Sequence, residues 1–299
     1  MTNSSIETLL QEAGLWQGPV TLRPLKGGYL NEVILVQTGA AKLVLKRFAP
    51  ETTGTLFPNR PEDEARALKR LDGLDVAPRL LGFWADASMM IYDYVEGSPW
   101  QSGTADVARL LLRKEAADPD GFRHVPLSPA DIMAEGDALF ARCNAPPPPR
   151  PAVRDLAPPA RLSLIHTDLG PGNLIGHGTG LRIIDWQCPA AGDLAEDIYS
   201  FLSPAFQILS EHAVLTPSEH DAFWHALARP DLKARYLALR PFYAWRMAAY
   251  CLWRAETRPE AEVRDRYKVA YAAEITELDA HDAGWTYDSQ LWALASLCL

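Results

Sequence analysis

Residues 162–186 of the chain, LSLIHTDLGPGNLIGHGTGLRIIDW, decide its fold. Three short apolar runs in this stretch predict a buried strand followed by a hairpin with a glycine-rich turn. A loop broken by glycine and proline separates the strand from the hairpin. The stretch therefore places three polar residues at strand ends and loops around one small sheet: Asp168, Asn173 and Asp185.

A carboxylate, a carboxamide and a second carboxylate are the side chains that phosphoryl transfer requires. One Asp accepts the proton of the attacking hydroxyl, while an Asn and another Asp hold the magnesium that bridges the nucleotide phosphates. The alternative is that Asp168 and Asn173 are turn residues, because Asx side chains hydrogen-bond to the backbone in turns. The full order H-x-D-x-x-x-x-N, followed by I-D-W, is more specific than an isolated H-x-D.

These motifs, HTDLGPGN and IIDW followed by GDLAEDIYSFL, resemble those of the aminoglycoside phosphotransferase and choline kinase superfamily of small-molecule kinases. The resemblance implies that Asp168 is the catalytic base and that Asn173 and Asp185 bind magnesium. It also implies that His166 braces the catalytic loop and that Asp193 ties the loop down. Capping of a helix that we expect over residues 194–209 would by itself explain Asp193.

The order of elements predicts two parts. Branched residues favour strands up to about residue 95, the break Gly97-Ser98-Pro99 follows, and helical patterns dominate afterwards. The resemblance implies an α+β, bilobal, protein-kinase-like fold with a small five-stranded antiparallel lobe. We expect residues 1–96 to form this nucleotide-binding lobe and residues 97–299 to form the larger, mainly helical catalytic and substrate-binding lobe.

Lys46 and Glu64 are charged residues that periodicity places on apolar faces. Strand alternation puts Lys46 on the face of Val44 and Phe48, and helical spacing puts Glu64 on the buried stripe of a helix that Asn59 would cap. A buried charge needs a partner, so we predict a Lys46–Glu64 ion pair in which Lys46 reaches the nucleotide phosphates. The alternative is a lysine at the sheet edge that extends to solvent.

Five further nucleotide-binding residues follow from the resemblance alone. Gly27, Gly28 and Asn31 would form the loop that covers the nucleotide, and the Asp93 carbonyl and Val95 N–H would hydrogen-bond adenine. A plain Gly-Gly turn and a strand end with a linker explain the same residues equally well.

Composition narrows the class of protein. The net charge of −9 argues against a general nucleic-acid-binding protein and weakly favours a cationic substrate. We expect a cytoplasmic protein without a signal peptide, a membrane span or disulfides, since no apolar run is long enough and no C-x-x-C pair occurs. The proline-rich segment 145–159 predicts a stiff connection, although a polyproline ligand for a partner is the alternative.

The predicted activity is transfer of the γ-phosphoryl group of ATP, with Mg²⁺, to a hydroxyl of a small molecule. Amino alcohols, aminoglycosides and sugar-like compounds all stay open as acceptors, and so does the oligomeric state. The aromatic stripes at 242–254 predict core packing, with a cage for a quaternary ammonium as the alternative. A nucleotide-binding pseudokinase is the rival function. A protein kinase is disfavoured because no long activation loop fits between Asp185 and Asp193.

Overall fold

A computed structural model of the protein describes residues 3–16, 18–25, 30–39, 41–50 and 55–282. A five-stranded antiparallel sheet comes first, and a mainly helical part follows it. The predicted α+β fold class is therefore confirmed. Within these described residues, no helix is long and apolar enough to cross a membrane.

The sheet has the strand order β1-β2-β3-β5-β4, and every neighbouring pair is antiparallel. Its strands are β1 Thr21–Pro24, β2 Glu32–Gln37, β3 Lys42–Arg47, β4 Leu80–Trp84 and β5 Met89–Asp93. Branched and apolar residues fill the central strands, which suits a surface that is covered on both faces. Strand β3, which carries Lys46, is third of the five strands in this order, so it lies in the middle of the sheet.

One helix covers each face of this sheet. Helix α1, Asn3–Glu12, packs Ile6 and Leu10 against one face, and helix α2, Pro61–Arg70, packs Ala67 and Leu68 against the other. Alternation along β3 explains the division, because Leu45 faces α1 whereas Val44 faces α2.

The expected cap of α2 is wrong. Arg60 occupies the N-cap position without a capping side-chain hydrogen bond, and Pro61 fills the first turn. The Asn59 amide instead donates to the Ala49 carbonyl and to the Asn31 side chain. It therefore joins the end of β3 to the start of α2.

The helical part is built around one long helix, α8, which packs against α4, α5 and α9. Its helices are α3 Thr104–Lys114, α4 Pro129–Phe140, α5 Leu194–Leu202, α6 Pro204–Leu209, α7 Pro217–Leu227, α8 Pro230–Thr257 and α9 Ala261–Asp282. The single helix expected over residues 194–209 is wrong. The chain breaks at Ser203, whose hydroxyl caps α6, because Pro204 has no N–H to continue α5.

Two small antiparallel strand pairs lie where the helical part meets the sheet. Strand β6, Ser163–Ile165, pairs with β9, Ala190–Gly192, whereas β7, Leu174–Ile175, pairs with β8, Arg182–Ile183. The hairpin is confirmed, and β9 is a strand that the sequence did not predict. The proline-rich segment 145–159 forms neither helix nor strand.

The hairpin is attached to the segment that follows the sheet. The Gly176 N–H donates to the Ser98 carbonyl, and the Trp100 N–H donates to the Leu174 carbonyl. Gly97 has φ +134°, and a Cβ there would lie 3.0 Å from Gly176 Cα. Glycine is therefore required for this close backbone approach. The division at residues 96 and 97 stays a prediction.

Candidate active site

Lys46, Glu64 and Asp185 form a buried charged group between the sheet and the hairpin. The Lys46 Nζ lies 2.6 Å from Glu64 Oε2 and also bonds Asp185 Oδ1. The Lys46 and Glu64 side chains are each 1% exposed, whereas Asp185 is 27% exposed. The predicted Lys46–Glu64 ion pair is therefore present in the fold, and Asp185 joins it. Asp185 is the member of this group that solvent and ligands can reach.

Burial and neighbouring charges shift the pKa values of both Lys46 and Glu64. Burial lowers the pKa of Lys46, but the charges of Asp185 and Glu64 outweigh burial and raise the pKa above its ordinary value. Burial raises the pKa of Glu64 to about 7, even though Lys46 opposes the shift. The lysine is thus held fully charged, which suits a group that faces phosphate oxygens.

Asp168 and Asn173 lie on the loop between β6 and β7. The Asn173 amide donates to the Asp168 backbone carbonyl at 2.8 Å, which fixes the side chain and turns its Oδ1 away from that bond. Burial and the charge of Asp185 raise the pKa of Asp168 to about 8. A carboxylate with a pKa near neutrality is suited to accept a proton from a hydroxyl.

The metal candidates are tied to one another through the backbone. The Ile184 N–H donates to the Asn173 carbonyl at 2.9 Å, so Asn173 is fixed to the residue before Asp185. Asp185 itself has φ +60°, a left-handed conformation that costs about 1–3 kcal/mol for a residue with a side chain. Such strain persists where surrounding bonds hold it, and it directs the carboxylate toward Lys46.

His166 contacts the residues on both sides of Asp185. Its Nε2 lies 3.0 Å from the Ile184 carbonyl, and its ring packs edge-on against Trp186 at 4.7 Å between centroids. The imidazole is fully buried, and burial lowers its pKa. A neutral imidazole whose Nε2–H donates to Ile184 fits the bracing role that the resemblance implies.

The loop that carries Asp168 is held by Asp197, the second Asp of the GDLAED motif, which resembles the G-D-x-x-x-D of the superfamily but was given no role from the sequence. Its carboxylate accepts the N–H groups of His166 and Thr167, each at 3.0 Å. Lys114 of α3 lies 3.1 Å from Asp197, and both side chains are 0% exposed. Thr167 has φ +66°, so this ion pair holds a second strained residue directly before Asp168.

Asp193 was expected to hold this loop, and the structure gives that contact to Asp197 instead. The Asp193 side chain accepts from the Ala195 N–H as the N-cap of α5 and forms a buried ion pair with Arg235. The physical reason is position on the helix: Asp193 precedes its first turn, whereas Asp197 faces the end of β6 one turn later. The predicted capping role of Asp193 is confirmed.

Three amides link the sheet to the segment after Asp185. The Asn31 Nδ2 donates to Asn59 at 3.1 Å and to Gln187 at 3.0 Å, while its Oδ1 accepts from Ala49 N–H and from Asn59. Contacts with other groups of the protein therefore hold the Asn31 amide in place. Its contact with the nucleotide stays a prediction. Gly27 and Gly28 lie outside the described residues.

The segment after β5 carries the two predicted adenine contacts. The Asp93 N–H donates to the Arg79 carbonyl at 3.0 Å, and its carboxylate pairs with Arg79. Within the part of the chain that the structure describes, the Val95 N–H makes no hydrogen bond. That donor is therefore available to a ligand, and adenine contact by Asp93 and Val95 stays a prediction.

The donor set at this site fits magnesium. Asp185 and Asn173 offer hard oxygen ligands, and magnesium usually takes few protein ligands and completes its shell with phosphate oxygens and water. Among the described residues, no group of three or more His, Cys, Asp or Glu side chains could enclose a metal by itself.

Comparison with known proteins identifies the family. The model of the phosphotransferase enzyme family matches residues 21–242, well over half of the chain. The chain belongs to this family. No curated protein matches its sequence significantly. Membership of the phosphotransferase enzyme family thus follows from the family model, which covers all the site residues described above.

Solved structures share the kinase-like fold of this family member. The choline kinase LicA from Streptococcus pneumoniae is 17% identical over 91% of this chain and 99% of that chain, with TM-score 0.60. A choline/ethanolamine kinase family protein from Mesorhizobium loti is 16% identical over 95% and 98%, with TM-score 0.61. Spectinomycin phosphotransferase APH(9)-Ia, with ADP and spectinomycin, is 10% identical over 92% and 98%, with TM-score 0.64. At such identities, the likeness shows the fold alone.

One residue that supports the site in this phosphotransferase had a detectable signal in the sequence. Lys114 follows Val107, Leu110 and Leu111 at helical spacing, the same argument that placed Glu64 on a buried face. Gln187 had no such signal, because the Asn31 amide that donates to its side chain lies 156 positions away in the sequence.

Proposed function

We propose that the protein transfers the γ-phosphoryl group of ATP to a hydroxyl group of a small molecule. The observation that carries this proposal is the contact of one buried lysine, Lys46, with both Glu64 and Asp185. This contact joins the sheet to the residue after Ile184, and the Ile184 N–H in turn donates to the carbonyl of Asn173 on the loop that holds Asp168. These links support a single site for phosphate binding and proton acceptance. Family membership supports a phosphotransferase at the coarser level.

Each residue has a role in the proposed reaction. Lys46, held by Glu64, would neutralise charge on the phosphates, and Asp185 with Asn173 would hold Mg²⁺. The bound cation would supply charge neutralisation at the β- and γ-phosphates. Asp168 would orient the acceptor hydroxyl and take its proton. The backbone at Asp93 and Val95 would hold adenine.

Catalysis at such a site would come from positioning and electrostatics. The protein holds Asp168 and Asp185 on strained or tightly bonded backbone, so both carboxylates need little reorganisation when substrates bind. The elevated pKa of Asp168 suits a group that holds a proton as the hydroxyl oxygen attacks phosphorus and the bond from phosphorus to ADP breaks. ADP then leaves with the negative charge.

A protein substrate is disfavoured by the length of the chain after Asp185. Strand β9 begins at Ala190 and helix α5 begins at Leu194, so this region has no space for a long activation loop. The rival pseudokinase would bind nucleotide without phosphorylating any acceptor. Retention of Lys46, Asp168 and Asp185 together opposes that rival.

The test is ADP release from Mg·ATP with a panel of hydroxyl acceptors, compared between wild type, Asp168→Asn and Asp185→Asn. We expect acceptor-dependent ADP from wild type, and at least a 100-fold lower turnover for Asp168→Asn with nucleotide affinity kept. Asp185→Asn should weaken Mg·ATP binding measured by calorimetry. Asp86→Asn, a change at an exposed carboxylate, is the control. Normal turnover of Asp168→Asn would reject that residue as the base, and nucleotide binding without turnover on any acceptor would favour the pseudokinase.

A further inference from the structure

A cluster of three aromatic rings surrounds one arginine near the end of α8. The guanidinium carbon of Arg254 lies 5.2 Å from the Trp253 ring centroid and 5.9 Å from each of the Tyr250 and Tyr267 centroids. These four residues are called the Arg254 cluster. Cation–π attraction stabilises a positive charge at such a position by about 0.5–2 kcal/mol, depending on its exposure.

The Arg254 cluster is connected to the catalytic loop through packed rings. Tyr250 packs edge-on against Phe57 at 5.0 Å, and Phe57 packs edge-on against Phe206 at 5.9 Å. Phe206 in turn lies against the loop, where a Cβ on Gly170 would come within 3.3 Å of the ring. Burial, and also the charge of Asp168, raises the pKa of Tyr250. The cluster is therefore joined to the loop that carries Asp168 through the rings of Tyr250, Phe57 and Phe206.

The charge of Arg254 has no carboxylate partner in the described part of the chain. Its Nε is buried and has no hydrogen-bond acceptor. A second arginine on α8 shows the usual arrangement: Arg246 pairs with Glu135 at 2.9 Å and with Glu196 at 2.6 Å. The Tyr267 hydroxyl is a hydrogen-bond partner of the guanidinium, but a hydroxyl carries no charge. The positive charge of Arg254 is therefore not balanced by a carboxylate in the described residues, and an anionic group of a ligand would balance it.

The same geometry disfavours a cationic acceptor at this position. A quaternary ammonium would bind at the centre of an aromatic cage, and in this chain a guanidinium already occupies the space among the three rings. A second cation would be repelled there. A carboxylate or phosphate would instead receive charge-assisted, bidentate hydrogen bonds from the planar guanidinium.

We infer that the acceptor is a small hydroxy compound that carries an anionic group, a carboxylate or a phosphate, bound by Arg254. This inference rests on the proposed phosphotransferase function. It opposes the weak preference for a cationic substrate that the net charge of −9 suggests. The net charge of the whole chain does not decide the charge preference of one site, because exposed charges are screened beyond about 10 Å.

The test compares acceptors that differ in charge, and the members of the carboxylate series are also matched in size. The carboxylate series compares 3-hydroxypropanoate, 3-hydroxypropanamide and 3-aminopropan-1-ol, and the phosphate series compares glycerol 3-phosphate with glycerol. Binding to the full chain is measured by calorimetry with Mg·ADP present, and turnover is measured as ADP release from Mg·ATP. We expect the anionic member of one series to bind at least tenfold more tightly than its neutral counterpart. The series that shows the difference identifies the anion.

Variants assign that preference to Arg254. Arg254→Gln should weaken binding of the anionic compound on the order of 10- to 100-fold, as expected for a lost charge-assisted hydrogen bond, and leave the neutral compound unchanged. Arg254→Lys, which keeps the charge but not the fork, should fall between the two. Lys268→Gln removes an equal charge at an exposed position of α9 and should have no effect. Thermal unfolding of each variant shows whether its fold is kept.

The outcomes separate this inference from the proposed function. Turnover of neutral or cationic compounds only, or equal binding of charged and neutral members in both series, overturns the anionic acceptor while a kinase activity stands. Arg254-dependent binding of an anion without ADP release from any compound supports the anion site and rejects the proposed reaction. An anion preference that survives in Arg254→Gln overturns the assignment to this residue.

Discussion

Lys114 and Asp197 form a fully buried ion pair behind the catalytic loop, and removal of either charge tests what holds that loop. Asp197→Asn leaves the Lys114 ammonium in the interior with the Leu164 carbonyl as its hydrogen-bond acceptor. The substitution also presents an amide NH₂ to the N–H groups of His166 and Thr167 that the carboxylate accepted. Both effects destabilise the folded state.

The magnitude follows from the burial of the pair. Both side chains are 0% exposed, and loss of one partner of such a pair costs about 3–5 kcal/mol of unfolding free energy. Lys114→Met should cost a similar amount because it leaves the carboxylate unpaired. The double variant Lys114→Met/Asp197→Asn has no unpaired charge, so its cost should fall short of the sum of the single variants by about 2 kcal/mol or more.

Urea unfolding of the two single variants and the double variant completes a double-mutant cycle. The exposed pair Arg70–Asp118, with side chains 40% and 57% exposed, provides a matched control cycle. Its variants should each change stability by at most about 1 kcal/mol. Turnover adds a second measurement: Asp197→Asn should lower kcat more than it raises the KM for ATP, because His166 and Thr167 position Asp168.

Additive effects of Lys114→Met and Asp197→Asn would refute this reasoning, because they would show that the two charges do not depend on one another. A loss near 1 kcal/mol for Asp197→Asn would equally show that the loop does not depend on the buried carboxylate. Unchanged kcat in a folded Asp197→Asn protein would leave Asp197 as a stability residue without influence on the position of Asp168.

Gln187→Leu removes the amide that joins Asn31 to the segment after Asp185. The KM for Mg·ATP should therefore rise several-fold, with little loss of thermal stability. An unchanged KM would show that the amide network does not position the metal ligand. His220 gives a pH prediction. Burial lowers the pKa of His220 to about 4, so the folded state disfavours its charged form and stability is lost as pH falls from about 6.5 toward 4. Wild type should therefore lose up to about 3 kcal/mol more than His220→Gln between pH 7 and pH 4; equal losses in urea unfolding would contradict this, and the exposed His225→Gln is the control.

Much of the fold was predictable because its signals are local. Alternation along β3 and helical spacing along α2 each require only a few neighbouring residues, and together they placed Lys46 and Glu64 on facing surfaces. The hairpin β7–β8 and the cap Asp193 were predictable for the same reason. The single helix expected at 194–209 was wrong because Pro204 begins a new helix with Ser203 as its cap, although α8 does continue through Pro241.

The sequence by itself determined which chemical groups this phosphotransferase carries, since H-x-D-x-x-x-x-N and I-D-W specify residue types and spacing along one short loop and hairpin. Only the tertiary structure decided which groups support them. Gln187 and Asn31 are 156 positions apart and meet through the fold. Asp197 rather than Asp193 holds the loop because of where α5 meets β6. Arg254 looks like any arginine in the sequence, and it lies among three aromatic rings only because α8 and α9 pack together. Burial and the choice of partner depend on contacts between distant segments, which no local pattern specifies.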